Sequence, residues 1–507
     1  MHSEKKFLSN SLNGATVGKV IPRRVFTQLG RLASRFKQPI YLSGGTIRDI
    51  ILGRKIHDLD LTVGDHSELW ASELARHTGS PLIPLGRDEQ AYRVIIDNFQ
   101  IDISPYRENS NTIEQDLALR DLTINSMAVA LDHDYFISNT PADHNFAIID
   151  PLNGLKDLDR RIIRHSSNRS FTDDPLRMLR VFRFAAVFNF TIDESTINLV
   201  SCLNQMICKS AGERINSELE EIMATDRAAS TFSDMETCGL LGEIIPQLEL
   251  GRGMSQPESH HLDVLGHSMA ALGSMEKILK GPERYFPPLT CAPLQEYLTA
   301  PKRRIELKWA ALLHDIGKTT TRNIKNGTKI TFYNHDVIGA QLIEDIARRL
   351  HWSNAGTRRI TSLIHAHMRP FHLCNVARKG ELSLKACIRL LKVIDADFPG
   401  LFLLAMADAS ACKGEESPAT MKEEIGALLS RILEVYHNNI LPVHSTAPIL
   451  NGKDLIEIFH LEPGPIFSRL LEVVRLAHME KTSMTKEEAL ILVQEYLKKH
   501  NRNNPER

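Results

Sequence analysis

The hydrophobic pattern of this chain changes period near residue 150. Ahead of that point, short apolar, β-prone runs recur. Pro39 to Ser43 reads as a strand, Thr46 to Leu52 as a helix opening after two glycines, and His57 to Val63 as a second strand on which Asp58 and Asp60 project from one face. Tyr92 to Ser104 reads as a hairpin, with β-prone runs on both sides of Asp97-Asn98. Beyond 150 the helical period dominates. Glu194 to Ile222 and Arg227 to Leu241 are mainly helical, Gly251 to Glu258 is a linker, and a helical tail begins near 416. Residues 1 to about 20 are polar and read as loose, and Gly281 to Arg303, with five prolines, reads as an exposed loop. The pattern predicts an α+β chain in four parts: a small mixed α/β unit over 1–150, then all-helical units over 151–250, 255–415 and 416–507.

Composition fits this division. At 507 residues the chain can bury several cores, and 24% charged with 42% apolar residues describes a soluble globular protein. A net charge of −1 carries no global nucleic-acid signature, so any such contact has to come from local basic surface. Lys156 to Arg183 supplies one, with Arg177, Arg180 and Arg183 stepping along one side of an expected helix whose first turn holds Pro175. The seven cysteines are scattered, without a Cys-x-x-Cys pair, as expected of reduced thiols in a cytoplasmic protein. No apolar run of signal-peptide or membrane-spanning length occurs, so neither secretion nor membrane insertion is expected.

The chemistry concentrates first in Gly44-Gly45-Thr46-Ile47-Arg48-Asp49, followed shortly by Asp58-Leu59-Asp60. Two glycines let a backbone turn approach a phosphate, Arg48 can pair with one, and paired aspartates can hold a cation. Taken singly, each piece reads as a tight turn or a solvated strand end. Together they resemble the head of the class II tRNA nucleotidyltransferase and poly(A) polymerase family. That resemblance implies template-free addition of nucleotides to an RNA 3′ end, with two Mg²⁺ ions held by Asp58, Asp60 and the substrate phosphates. It also implies that Gly44, Gly45, Arg48 and Asp49 form the nucleotide-binding turn and that Asp102, in the second arm of the hairpin, is the third catalytic carboxylate.

Further on, Arg120-Asp121-Leu122-Thr123-Ile124-Asn125 resembles the family's ribose and phosphate box, with Leu119 standing where the family has an arginine. Asp121 and Asn125 are four apart and would share a helix face. Asp173-Asp174-Pro175-Leu176-Arg177 resembles the family's base-selecting motif, with Asp173 replacing a glutamate. The matched Asp174 and Arg177 would then read the incoming base. Adenine and cytosine present an amino donor beside a ring-nitrogen acceptor, so a carboxylate and a guanidinium admit ATP and CTP and reject GTP and UTP. Arg180 is then placed for phosphate.

A second constellation comprises His267, His314-Asp315, His335, His367 and Asp408, each in a helical context. Imidazoles and carboxylates on neighbouring helices can converge on one or two divalent ions. The order resembles the HD phosphohydrolase superfamily, which implies a divalent transition metal or Mg²⁺ at those residues and a phosphohydrolase acting on 2′,3′-cyclic or terminal RNA phosphates. Head and HD part together suggest a CCA-adding enzyme with tRNA, CTP and ATP as partners; the oligomeric state stays open. Between Asp102 and Arg120 the chain is short, where enzymes that add the terminal A usually carry a longer loop; this resembles enzymes that add only the two cytidines, and the CCA reading leads over CC-adding, A-adding or poly(A) synthesis. An HD hydrolase as the main activity, or an RNA-binding protein without catalysis, are further alternatives.

Overall fold

The structure, a computed structural model, describes residues 10–502 apart from 57, 86–89, 97–98, 132–135, 137–142, 259, 328, 413 and 415–417. His57 and the Asp97-Asn98 turn therefore lie outside the described residues. The chain forms two compact units, one up to residue 227 with 233–244, the other 228–232 with 245–507.

The first unit is built on eight strands: β1 (Ser11–Asn13), β2 (Ile40–Ser43), β3 (Asp58–Val63), β4 (Leu82–Leu85), β5 (Ala91–Ile96), β6 (Phe99–Pro105), β7 (Ala128–Leu131) and β8 (Asn145–Ile149). Their order is β1-β8-β7-β2-β3-β6-β5-β4. β3 and β6 run parallel because the helix Ser67–Thr78 and the β4–β5 hairpin intervene between them, and the remaining neighbours are antiparallel. Period-two alternation decides the faces. Leu59, Leu61, Val63, Ile101 and Ile103 are buried, while Asp58, Asp60 and Asp102 occupy the alternate positions. Trp70, Ala71 and Leu74 of Ser67–Thr78 are buried where that helix packs on β5 and β6.

Three expectations need correction. The described part of the supposedly loose N-terminus, from residue 11, is ordered. β1 pairs with β8, Asn13 caps the helix Gly14–Val20 through the Ala15 and Thr16 amides, and Val17 is buried, so sheet pairing and one apolar anchor override the polar composition. The proline-rich stretch contains the helix Pro288–Tyr297, with Thr290 and Leu294 buried. Pro288 sits in the first turn, where no amide bond is lost, and the carbonyl that Pro293 leaves unbonded belongs to Leu289, whose side chain is exposed. Pro175 lies outside the helix Arg177–Phe188, in the break after the short helix Ser170–Asp173. Asp174 turns the chain there by accepting from the Leu176 amide at 3.1 Å.

The second unit is helical. Phe398–Ala411 is apolar all round and almost wholly buried, as expected of a central helix, with Asp408 as its one charged side chain. Val264–Lys280 and Arg303–Leu313 pack against it. Further along, a capping box between Asn451 and Asp454 opens the helix Gly452–Phe459, and Leu450, Leu455, Leu470, Val474, Ala489 and Val493 form a small core of their own.

Two backbones meet within this unit at Gly317. A Cβ there would lie 2.0 Å from the His335 carbonyl oxygen and 2.6 Å from the Gly339 amide. Gly317→Ala should therefore lower the denaturant-derived stability of the protein by at least about 2 kcal/mol, whereas Gly380→Ala, which meets nothing within 4 Å, should stay within about 0.5 kcal/mol of the parent. Equal midpoints for the two variants would contradict this packing.

Candidate active site and metal centre

Gly44 adopts φ +65°, and a Cβ on it would meet an Arg120 nitrogen at 2.6 Å and an Asp60 oxygen at 3.2 Å, so the turn needs glycine for both conformation and space. The Gly45 amide donates to Asp60 Oδ2 at 3.1 Å, and Thr46 Oγ1 accepts from the Asp60 amide at 2.9 Å. The turn thus fixes the backbone and carboxylate of Asp60 together. Asp60 is in register with Asp102 on the parallel neighbour β6, and Asp58 lies two residues away on the same face. Burial pushes the Asp60 pKa up; Arg120 partly offsets this, and the charge of Asp102 adds to it.

Asp102 is held by a residue that sequence reasoning missed. Arg93, its register partner on β5, donates to both oxygens at 2.7 and 2.8 Å. Only a strand register could have pointed to it, since Arg93 carries no motif.

The buried Asp121 carboxylate joins three donors directly and Arg48 through Asn125. It accepts from Asn125 Nδ2 at 3.0 Å, the Leu122 amide at 2.8 Å and Arg180 Nε at 2.7 Å, while Asn125 Oδ1 accepts from Arg48. Asp121 and Asn125 do meet, though through a short 3-10 turn at Thr123–Asn125 rather than an α-helix. Burial alone would raise the Asp121 pKa, but Arg180 and the Asn125 amide outweigh it and hold the carboxyl well below its usual range. Arg48 is nearly buried, donates twice to Asp49, and lies against the stacked rings of Phe184 and Phe188, 4.9 and 4.8 Å from their centres. Its guanidinium braces the turn where the sequence suggested an open phosphate partner. Arg120 is likewise buried, donating to Asp116, Ser43 and Thr62.

A cleft of about 560 Å³ collects Gly44, Gly45, Arg48, Asp60, Asp102, Arg120, Asp121, Asn125, Asp174, Arg177 and Arg180. Asp49 and Asp58 are not among its lining residues. Arg183 and Arg214 join it: Arg214 donates to Asp174 at 2.9 Å and Arg183 is paired with Glu218. Arg177 donates to the carbonyl of Leu119 at 3.1 Å. Arg177, Arg180 and Arg183 are thus tied into this wall.

In the second unit His267, His314, Asp315, His335, His367 and Asp408 converge, all buried. Asp315 stands in the middle. Its Oδ2 lies 3.5 Å from His267 Nε2 and 3.3 Å from His314 Nε2, and its Oδ1 lies 3.5 and 3.7 Å from His335 and His367. The Nδ1 atoms of His314, His335 and His367 each face a backbone carbonyl three residues earlier, at 2.9, 2.8 and 2.6 Å, which directs Nε2 into the cluster. His267 and His314 face each other Nε2 to Nε2 at 3.2 Å, and His335 and His367 at 3.1 Å. Imidazole lone pairs opposed at that distance repel unless a cation or proton lies between them, so the donor set fits divalent ions. Burial lowers the His314 pKa, but Asp315 and Asp408 overcome it and hold the ring up at about 9, whereas burial and the neighbouring imidazoles push His367 down to about 3.

Similarity to known proteins follows the same division. The family described as Poly A polymerase head domain matches residues 40–164, HD domain matches 264–397, and Probable RNA and SrmB- binding site of polymerase A matches 189–250. A Multifunctional CCA protein of Pseudomonas savastanoi is 31% identical over 329 residues, covering 61% of this chain and 70% of that protein. The chain belongs to the family of tRNA nucleotidyltransferases and poly(A) polymerases. It is similar to an A-adding tRNA nucleotidyltransferase of Deinococcus radiodurans, 29% identical over 462 residues, 90% of this chain and 95% of the relative. A CC-adding tRNA nucleotidyltransferase of Thermus thermophilus is 28% identical over 453 residues, 88% and 91% of the two chains. The fold is shared with the Thermotoga maritima CCA-adding enzyme complexed with tRNA, at a TM-score of 0.63 and 20% identity over 96% of this chain and 99% of that one. As a member of this family the protein is a nucleotidyltransferase, and the expected family and α+β fold class hold. No helix among the described residues is long and apolar enough to cross a membrane.

Two measurements check the site. Arg93→Ala removes a positive charge from both oxygens of Asp102, so Mn²⁺ binding followed by paramagnetic resonance, with parent and variant both carrying His267→Ala and His314→Ala, should tighten by about threefold to tenfold. An unchanged affinity would make Arg93 a strand brace alone. The depressed pKa of Asp121 means that its ionised form adds stability above the ordinary carboxylate value of about 4, and that this is lost as pH falls. Asp121→Asn should flatten the acid limb of a urea-unfolding profile below about pH 4, with the slope nearer neutrality unaffected.

Proposed function

We propose that this nucleotidyltransferase adds CMP and AMP, from CTP and ATP, to the 3′ end of tRNA, building a C-C-A terminus without a nucleic-acid template. The observation that carries the reading is one cleft lined by Asp60 and Asp102 from adjacent strands and by Asp174 and Arg177 from the helical part of the same unit. The oxygen-only set Asp58, Asp60 and Asp102 suits Mg²⁺, held chiefly by Asp58 and Asp60; bound there it lowers the pKa of the attacking 3′ hydroxyl and offsets phosphate charge. Gly44 and Gly45 leave room for the triphosphate. Asp121 and Asn125 face the sugar and phosphates, and Arg180, oriented by Asp121, adds charge beside them. Asp174 accepts from the base amino group and Arg177 donates to its ring nitrogen, with Arg214 holding Asp174 in place. Residues 151–250 supply base recognition and RNA contact, and 416–507 help hold tRNA. The seven unpaired cysteines agree with a cytoplasmic setting.

A second reading, addition of the two cytidines alone, is favoured by one observation. β6 ends at Pro105 and the helix Ile113–Ala118 begins soon after, with Arg107 bonded to Asp116 across the short connection. For the second unit the cluster centred on Asp315 supports a metal-dependent phosphohydrolase acting on RNA phosphates.

The deciding assay offers tRNA lacking its tail, or ending after one or two cytidines, with CTP, ATP or both and Mg²⁺. Sequential C, C and A incorporation is expected. Asp58→Ala or Asp60→Ala should lower the rate at least about a hundredfold, and Arg177→Ala should weaken discrimination against UTP by about tenfold to a hundredfold. Cytidines without A would install the second reading, and no incorporation would overturn both.

A further inference from the structure

Beside the histidine and aspartate ligands of the second unit stand two donors that this reading leaves unused, His260 and Cys412. We infer that His260, His267, Asp408 and Cys412 form a mixed nitrogen, oxygen and sulfur site that selects a thiolate-binding divalent ion, with Zn²⁺ as the best match; the inference rests on the reading of that cluster as a metal centre.

Two of the separations among these donors are those of one coordination sphere. One ligand atom from each of the four side chains lies within 4.8 Å of all the others. Bonds of about 2.3 Å to sulfur and about 2.0 Å to oxygen or nitrogen, arranged tetrahedrally, place sulfur and oxygen about 3.5 Å apart and nitrogen and oxygen about 3.3 Å apart. Cys412 Sγ lies 3.6 Å from Asp408 Oδ1, and His267 Nε2 lies 3.1 Å from the same oxygen.

Local structure explains the convergence. Asp408 and Cys412 are four residues apart, and the Cys412 amide still bonds the Asp408 carbonyl at 3.1 Å, so both side chains leave one face at the end of Phe398–Ala411. His260 comes from the segment before Val264–Lys280. It is placed by its amide bond to the Pro257 carbonyl, at 2.9 Å, and its ring meets that of His267 edge-on at 4.8 Å. Lys318 Nζ binds Gln256 Oε1 at 2.7 Å and so pins the same segment. A cavity of about 630 Å³ opens onto His260, Asp408 and Cys412, giving an ion a way in. His314, Asp315, His335 and His367 remain for a second cation.

Donor softness sets the selectivity. A thiolate and imidazoles favour Zn²⁺ or Co²⁺ over Mg²⁺, whereas the carboxylates of the first unit favour Mg²⁺, so the two units read different ions. Binding releases the thiol proton to solvent.

Cobalt supplies the test. The full-length protein, stripped with chelator and loaded with Co²⁺ without oxygen, should show a near-ultraviolet thiolate-to-cobalt charge-transfer band, which oxygen ligation in the first unit cannot produce. Cys412→Ser should lose that band and weaken Zn²⁺ binding, read by chelator competition, at least about tenfold; Cys412→Asp should lose the band yet keep the cobalt, and matching circular dichroism shows that both variants fold. Cobalt uptake without the band, or a band that survives Cys412→Ser, overturns the role of Cys412 while leaving the metal centre standing. If a variant carrying both His267→Ala and His314→Ala takes up as much cobalt as the parent, the second unit binds none and the metal-centre reading falls as well.

Discussion

The Asp121 carboxylate is the constraint on which the first unit depends. Its partners come from three stretches of chain: the adjacent Leu122 and Asn125, Arg48 through Asn125, and Arg180 from the helix Arg177–Phe188. The backbone carbonyl of Asp121 also accepts from the Ser166 amide and from Ser170 Oγ. Removing one partner from such a buried, charged network leaves an unpaired ion, at a typical cost of about 3–5 kcal/mol, so every member holds the others in one geometry. That geometry joins the glycine turn to the base-reading motif, and it explains why Arg48 and Arg180 cannot act as independent surface cations.

The carboxylates of the sheet illustrate a different principle. Asp58, Asp60 and Asp102 share a face because strands alternate, and their mutual repulsion is lowered by Arg93 and Arg120. In the second unit the crowded like groups are opposed imidazoles, and the central Asp315 carboxylate offsets their crowding. One arrangement is built from oxygen, the other from nitrogen with sulfur nearby, and the helices that carry the second present their donors at end positions. His314 and His367 close their helices and His335 begins one, where backbone carbonyls of the preceding turn orient the rings.

Much of this was legible along the chain. The spacing of Asp58 and Asp60 on a β-prone run gave both the strand and the exposed face, because period-two geometry is local. The glycine pair signalled a tight turn, and the change to helical periodicity placed the helical remainder. The proline-rich stretch misled because proline counts do not distinguish a first helical turn from a loop, and the N-terminal segment misled because its order comes from pairing with β8.

What the sequence alone determined was which chemistry the protein carries: the side chains, their local periods, and the motif order that marks the family. Tertiary structure decided which of those side chains remain available. Arg48 and Arg120 bear the same charge as Arg177, yet burial ties the first two to Asn125, Asp49 and Asp116. Arg93 and Arg214 gained their partners through strand register or helix packing, over separations that leave no periodic trace, since contacts between distant segments depend on how elements pack and not on spacing along the chain.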